Sequence, residues 1–277
     1  MYFLIYTMKS FIADKNRKLS KLALLKVDDL SYTAFMRALR KKDVKVNGVR
    51  VSTDVTLSVG DKVEIYYVQS TVSAYQTIFA DQNVVVIDKK SGFTSEKVFE
   101  LIQKEYENAR FIHRLDRNTD GLMIFALNDQ AEKELLYGFK ERNFQKFYTA
   151  VVVGEVKKTS EKLTAYLKKD KENALVTIYD NHVKGSVQIK TDYKVIKKEK
   201  GLTTLEVTLH TGKTHQIRAH LAHVGYPILG DGKYGDFTAN QKYNISTQKL
   251  TSSRLILHFN EEQTLYYLNG KTFEIKR

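Results

Sequence analysis

The chain has 277 residues, 45 of them Lys or Arg against 32 Asp or Glu, a formal net charge of +13, with no cysteine, no tryptophan and one proline. The missing cysteines exclude a disulfide scaffold, a cysteine nucleophile and a thiolate metal site, and no apolar run reaches the roughly 18 residues of a membrane span. A chain of this length suits one large domain or a medium domain with a small appendage, and the positive excess makes a polyanion the first partner to consider.

The opening MYFLIYTM is apolar but lacks a basic leader and a small-residue cleavage site. A signal peptide is therefore not expected, and the chain reads as a soluble cytoplasmic protein. Residues 1–70 hold 13 basic and 7 acidic side chains, net +6, while the remaining 207 hold 32 and 25, net +7. Lys outnumbers Arg by 34 to 11, so arginine marks positions where a planar, bidentate donor is wanted.

In chain order, Ser31 is placed to cap a helix through YTAFMRALRKK, with Phe35, Met36 and Leu39 inward and Arg37, Arg40 and Lys41 outward. VKVNGVRV follows, Val44 and Val46 alternating into Asn47-Gly48 and Val49 and Val51 alternating out, which predicts a hairpin. A turn at Gly60-Asp61 leads into the alternating strand KVEIYYV. With Lys45 and Arg50 on the hairpin, this is a basic α+β module whose charges form either a solvated face or a nucleic-acid surface. Residues 69–77, QSTVSAYQT, are polar and uncharged and read as a linker.

Beyond it, NVVVID and GLMIFALN read as buried strands, and Asn128 as the cap of a helix whose Ala131, Leu135, Leu136 and Phe139 share a face. QKFYTAVVVGEV is another strand, and SVQIKTDYKVI with LTTLEVTLH forms a hairpin near Gly201. Long strands in mixed order with few helices predict an α+β domain on a largely antiparallel sheet.

Three segments carry candidate chemistry. In FIHRLDRNTDGLMIFALN, His113, Arg114, Asp116 and Arg117 crowd ahead of an apolar strand. An aspartate between two arginines is expected to be ionised, which suits a nucleophile or anionic base; the plainer alternative is a loop-end salt bridge. In KERNFQKFYTAVVVGEV, Lys146 and Tyr148 alternate into a strand, and Tyr148 is either a core aromatic or a pocket aromatic that stacks on a base. In TGKTHQIRAHLAHVGYPILGDGKYG, Thr214 is placed to cap a helix that stops at Gly225. The helical step from His215 to His220 turns about 140°, so His215, His220 and His223 do not converge, and no carboxylate completes a zinc motif. Packing and hydrogen bonding are the expected roles of these histidines.

In this order and spacing, HRLD-x-x-T-x-GL, then K-x-Y-x-A-x-V-x-G, then TG-[RK]-x-HQIR-x-H with GYPI-x-GD-x-x-YG resembles the RluA-type RNA pseudouridine synthases, from about residue 80 onward. Ser31, Arg37 and VKVNG, within residues 15–68, resemble the small RNA-binding domain first described in a small-subunit ribosomal protein, a common partner in that family. The resemblance implies an isomerase acting on rRNA or tRNA as a monomer, without metal or cofactor. It implies that Asp116 is the catalytic aspartate, Tyr148 the tyrosine that packs on the target base, Arg218 the arginine that pairs with Asp116, and Arg114 the residue that inserts where the base has left. His113, Arg117, Arg37, Arg40, Lys41, Lys45 and Arg50 are the remaining candidate RNA contacts. The expected division is a basic domain at 15–68, a linker at 69–77 and a catalytic domain at 78–277.

The chain departs from these patterns at named positions. Lys90 stands in DKKSGF where the family has proline, Asp120 where it has serine before Gly121, and Lys213 where it has arginine. In the basic module Tyr32, Thr33 and Ala34 replace the usual arginines, and Lys42 the usual glycine. Two rival readings remain at this point: a glycosidase-like hydrolase pairing Asp116 with Asp120, and a non-catalytic RNA-binding factor that keeps only the fold.

Overall fold

A chain with one proline and repeated apolar alternation favours strands. Strands dominate the computed structural model, which describes residues 4–27, 30–70, 73–170 and 175–275 and divides into two units between Ser73 and Ala74. Among the described residues no helix is long and apolar enough to cross a membrane.

The first unit runs β1 (Leu4–Ile12), β2 (Arg17–Lys18), α1 (Leu19–Lys26), α2 (Tyr32–Arg40), β3 (Val44–Val46), β4 (Val49–Val51), β5 (Thr56–Leu57) and β6 (Lys62–Ser70). An antiparallel sheet in the order β1-β6-β3-β4 packs on the helices around Leu19, Leu22, Phe35, Leu39 and Ile65. Ser31 caps α2 as expected, its hydroxyl accepting from the Ala34 amide at 3.1 Å. The helix ends in a Schellman pattern, the Asp43 amide on the Ala38 carbonyl at 2.8 Å and the Lys42 amide on Leu39 at 3.0 Å, with Lys42 left-handed at φ 59°. Asn47 (φ 51°) and Gly48 (φ 82°) make the hairpin turn.

Two elements carried no clear sequence signal here, β1 and α1, so the unit begins before residue 15. The expected linker is also strand at both ends. β6 continues to Ser70 because β1 pairs along its whole length, Leu4 opposite Ser70, and the next strand starts at Tyr75, opposite Lys89. Polar side chains did not prevent backbone pairing; Thr71 and Val72 lie outside the described residues.

The second unit continues with β7 (Tyr75–Ala80), β8 (Val84–Lys89), α3 (Ser95–Glu105), β9 (Arg110–Phe111), β10 (Asp120–Ala126), α4 (Asp129–Glu141), β11 (Gln145–Val153), β12 (Ser160–Asp170) and β13 (Leu175–Tyr179). It ends with β14 (Val187–Glu199), β15 (Leu202–Leu209), α5 (Gln216–His223), α6 (Phe237–Lys242), β16 (Leu250–Ile256) and β17 (Thr272–Glu274). All these strands join one eleven-stranded sheet, in the order β13-β12-β14-β15-β11-β16-β10-β8-β7, with β17 on β16 and β9 on β10. β10 and β16 run parallel; the other pairings are antiparallel. The fold is thus the α+β, largely antiparallel architecture expected.

Strands β8 and β10 are buried on both faces, and their alternation feeds two cores. Val85, Ile87, Met123 and Phe125 face one, and Val84, Val86, Leu122 and Ile124 the other. Gly121 (φ +111°) sits where β10 meets β16, and a Cβ there would collide with the backbone of Ser252. Asn128 caps α4, accepting from the Ala131 amide at 2.9 Å. Leu136, expected on the inner face of α4, is exposed. Glu134 is buried instead, because its carboxylate accepts the amides of Thr264 and Leu265, both at 2.9 Å.

Candidate active site

Between β9 and β10 the chain leaves regular structure, and its backbone is held from several sides. The buried Ser95 hydroxyl accepts from the Leu115 amide at 2.9 Å and meets the Leu115 carbonyl at 2.8 Å. Lys89, fully buried at the end of β8, gives its ammonium protons to the carbonyls of Lys90, Phe93 and Arg117 at 3.1, 2.8 and 3.1 Å. Burial pulls its pKa down to about 8 against the opposing charges of Asp120, Asp116 and Asp88. The Ser91 hydroxyl donates to the Asn118 carbonyl at 2.9 Å, and Gln248 donates to the Thr119 hydroxyl at 2.8 Å. Lys90, in the position where the family has proline, uses the amide a proline would lack to donate to the Ala74 carbonyl at 2.8 Å.

Asp116 projects from this loop into a cavity of about 440 Å³. Arg218, on α5, donates from Nη1 to Asp116 Oδ2 at 2.8 Å. It also grips Asp231 with Nε at 2.7 Å and Nη2 at 2.9 Å. The Asp231 side chain has 0% exposure and accepts the Lys233 and Tyr234 amides at 2.8 and 3.1 Å. Burial opposes its charge, but Arg218 and those amides carry its pKa below the ordinary carboxylate value. The sequence neighbours of Asp116 take no part: Arg117 is exposed, and Arg114, also exposed, pairs with Glu96 at 3.3 Å. The cation facing Asp116 is therefore Arg218, 102 residues away, and not the flanking arginines.

Tyr148, on β11, is 7% exposed, belongs to the core and also lines the cavity. Burial pushes its hydroxyl up to about 12; a hydrogen bond with Ser252 pulls the other way and Asp116 adds to the rise. It is a neutral phenol at physiological pH. Leu209, Ile217 and Leu250 complete an apolar wall, and Lys140, Arg142, Lys146 and Lys213 add cations to the lining. Asp116 is the one carboxylate among the lining residues, and Asp120 lies outside them at the start of β10. The paired-carboxylate reading loses its second member.

The histidines separate. His113, a candidate RNA contact, accepts the Ile124 amide through Nε2 at 3.1 Å and stacks on Phe139 with centroids 4.6 Å apart. Burial, helped by Lys146, lowers it to about 3, so it braces the loop as a neutral ring. Nδ1 of His220 meets Thr191 at 3.1 Å, and Nε2 of His223 meets Asp180 at 2.8 Å. Thr214 does not cap α5: His215 occupies that position, left-handed at φ 55°, and makes no side-chain cap. His215 faces the cavity, with Nδ1 3.0 Å from the Tyr234 hydroxyl and Nε2 3.9 Å from Asp116 Oδ2. In the sequence Asp231 and Tyr234 carry no signal beyond their places in GYPILGDGKYG, the acid and the aromatic of its GYPI-x-GD-x-x-YG pattern.

In the first unit, Arg37, Arg40, Lys41 and Arg50 are exposed. Lys45 lies over the Tyr66 ring at 5.4 Å, and Arg50 donates to the Lys42 carbonyl at 2.6 Å. Among the described residues no group of three His, Cys, Asp or Glu is placed to hold a metal.

Residues 82–223 match the family described as RNA pseudouridylate synthase. The chain is 29% identical over 256 residues to ribosomal large subunit pseudouridine synthase C of Vibrio vulnificus, covering 83% of this chain and 79% of that protein. It is 30% identical over 240 residues to an uncharacterized RNA pseudouridine synthase of Aquifex aeolicus, covering 74% of each. Among solved structures, human RNA pseudouridylate synthase domain containing 1 shares the fold, with a TM-score of 0.62 at 21% identity over 70% of this chain and 83% of that one.

Proposed function

The chain belongs to the RNA pseudouridylate synthase family, and on that premise we propose that it converts a uridine of ribosomal RNA to pseudouridine with Asp116 as the catalytic aspartate. The observation that carries the proposal is Arg218 held between buried Asp231 and Asp116, in a cavity walled by Tyr148. The ribosomal substrate rests on the name of the Vibrio relative.

The reaction breaks the bond from ribose C1′ to uracil N1, turns the base and joins C1′ to C5. The C5 proton leaves and N1 gains one, so substrate and product are isomers. Asp116, paired with Arg218 at 2.8 Å, is suited to add to C1′, to add to the ring or to remove a ribose proton; each uses the carboxylate oxygen as the attacking group. Tyr148 supplies a face for the uracil, and as a neutral phenol it offers no base. Extracting the base from its stack costs a few kcal/mol. Arg114, exposed at the cavity mouth, fits the role of filling the vacated place, and Lys140, Arg142, Lys146, Lys213 and Arg117 suit phosphate contacts.

In the same reading the first unit is an RNA-binding domain using Arg37, Arg40, Lys41, Lys45 and Arg50, and the second unit is catalytic. The enzyme acts as a cytoplasmic monomer needing neither metal nor cofactor. Pseudouridine maps of ribosomal and transfer RNA, from cells with and without the gene, test the substrate. The expected result is loss of modification at ribosomal uridines, restored by the wild-type gene. Full ribosomal modification without the gene would contradict it.

A further inference from the structure

His215 breaks two local rules without gain to its own helix. It sits at the N-cap of α5, where a short oxygen-bearing side chain would bond the first amides, and it makes no such bond. Its backbone is also left-handed, at φ 55°, a region favourable to glycine and costly to a residue of this size. What the conformation does achieve is to bring the imidazole between Tyr234 and Asp116.

The hydrogen bonds around Tyr234 determine which ring nitrogen carries the proton. The Val176 amide donates to the Tyr234 oxygen at 2.8 Å. Among the described residues the remaining polar atom within hydrogen-bond reach of that hydroxyl is His215 Nδ1, at 3.0 Å. The phenolic proton therefore goes to Nδ1, and a neutral imidazole that accepts at Nδ1 carries its hydrogen on Nε2. Nε2 lies 3.9 Å from Asp116 Oδ2, the oxygen that already accepts from Arg218 at 2.8 Å. Arg218 donates to Oδ2, the Nε2–H group faces the same oxygen from beyond hydrogen-bond reach, and Oδ1 takes no hydrogen bond from the described residues. The Tyr234 ring further meets His215 edge-on at 5.6 Å and lies under the Arg218 guanidinium at 5.3 Å, so one side chain backs both donors.

We infer that His215, with its tautomer set by Tyr234, is a positioning residue that holds Asp116 by Oδ2 and leaves Oδ1 turned to the substrate. The inference rests on the reading of Asp116 as the catalytic aspartate. The charged and titratable groups facing His215 are Asp116, Arg218, Lys233, Asp231 and Tyr234, and burial is the largest influence, keeping the ring neutral. The 3.9 Å gap is longer than a hydrogen bond, as is common for catalytic contacts that tighten only when substrate is bound.

The test uses the full-length enzyme and steady-state pseudouridine formation on ribosomal RNA, for wild type, H215N, Y234F, the double variant and D116N. Asparagine tolerates the left-handed backbone and caps helices well, so H215N removes the imidazole without burdening the fold. The expected result is a fall in kcat of roughly 10- to 100-fold for H215N, with KM, RNA affinity and Tm near wild type. Y234F alone should fall less, and it should add nothing on the H215N background, because its hydroxyl acts through His215. Wild-type kcat in H215N, or a loss confined to KM, would overturn the inference, as would additive losses in the double variant. If D116N retains activity, the failure lies with the catalytic reading; if D116N is inactive and H215N turns over at the wild-type rate, the positioning role alone fails.

Discussion

Arg218 gives two donors to a carboxylate with no solvent exposure and a third to Asp116, while its own side chain is 7% exposed. Truncating it strands Asp231 as an unpaired buried charge, so R218A is expected to lose about 3–5 kcal/mol of stability along with activity. R218K keeps the charge but not the planar fork, and should fold better while losing roughly 100-fold in rate. Chemical denaturation beside a rate assay separates the two effects; equal stability of R218A and wild type would contradict the account.

A second expectation concerns buried His220, whose pKa burial and His223 bring from 6.5 to about 4. The unfolded chain takes up this proton near 6.5 and the folded one only near 4, so unfolding binds a proton between those values. Stability from this group is complete above pH 6.5 and falls as pH drops toward 4, at up to about 1.4 kcal/mol per pH unit. Denaturation series from about pH 7 down to about pH 5 should show that slope on top of a parallel one from buried His113, and H220N should lower the total by up to about 1.4 kcal/mol per pH unit; an unchanged slope in H220N would contradict the assignment.

At the scale of elements, the helix C-terminus at Lys42 offers a clean test. Lys42 holds a left-handed backbone that glycine adopts without steric cost, in a position where no side chain is needed. K42G is expected to stabilise the protein by up to about 1 kcal/mol, and a loss of stability in denaturant titration would contradict it. Elements with a complete local signature were legible from the sequence: α2 with its Ser31 cap, the Asn47-Gly48 hairpin, and α4 capped by Asn128. Elements decided by distant partners were not. β1 exists by pairing with β6, and that pairing also pulled the polar residues to Ser70 into strand. Thr214 had the right chemistry for a cap, but the chain spends that turn on aiming His215. Glu134 displaced Leu136 from the inner face of α4 because two amides on the 264–268 turn were there to receive it.

At the scale of the whole molecule, the net charge of +13 divides into +6 over residues 1–70 and +7 over the remaining 207, and Arg114, Lys140, Arg142, Lys146 and Lys213 are among the residues lining the cavity. If these neutralise phosphates, log Kd for RNA should rise steeply with log salt, and replacing Lys140 or Lys213 by Gln should cut the slope by about 1 each. Salt-independent binding would contradict it. The site itself was legible in part. Asp116, Tyr148, Arg218 and Asp231 lie in segments whose order and spacing resemble a family, whereas Lys140 stands outside those patterns and the joining of Asp231 to Asp116 through Arg218 depends on contacts between distant segments. Tyr234 shows the same limit, since its role depends on His215 and on the Val176 amide of a distant strand.

The central claim is that Asp116, held by Arg218, performs the isomerisation. It is tested most directly by incubating purified wild-type, D116N and D116A enzymes with ribosomal RNA, and measuring pseudouridine, free uracil and RNA binding together. The account predicts pseudouridine from wild type alone, no free uracil, and RNA binding by both variants close to that of wild type. Pseudouridine formation by either variant at the wild-type rate, or uracil released by the wild type, would contradict it.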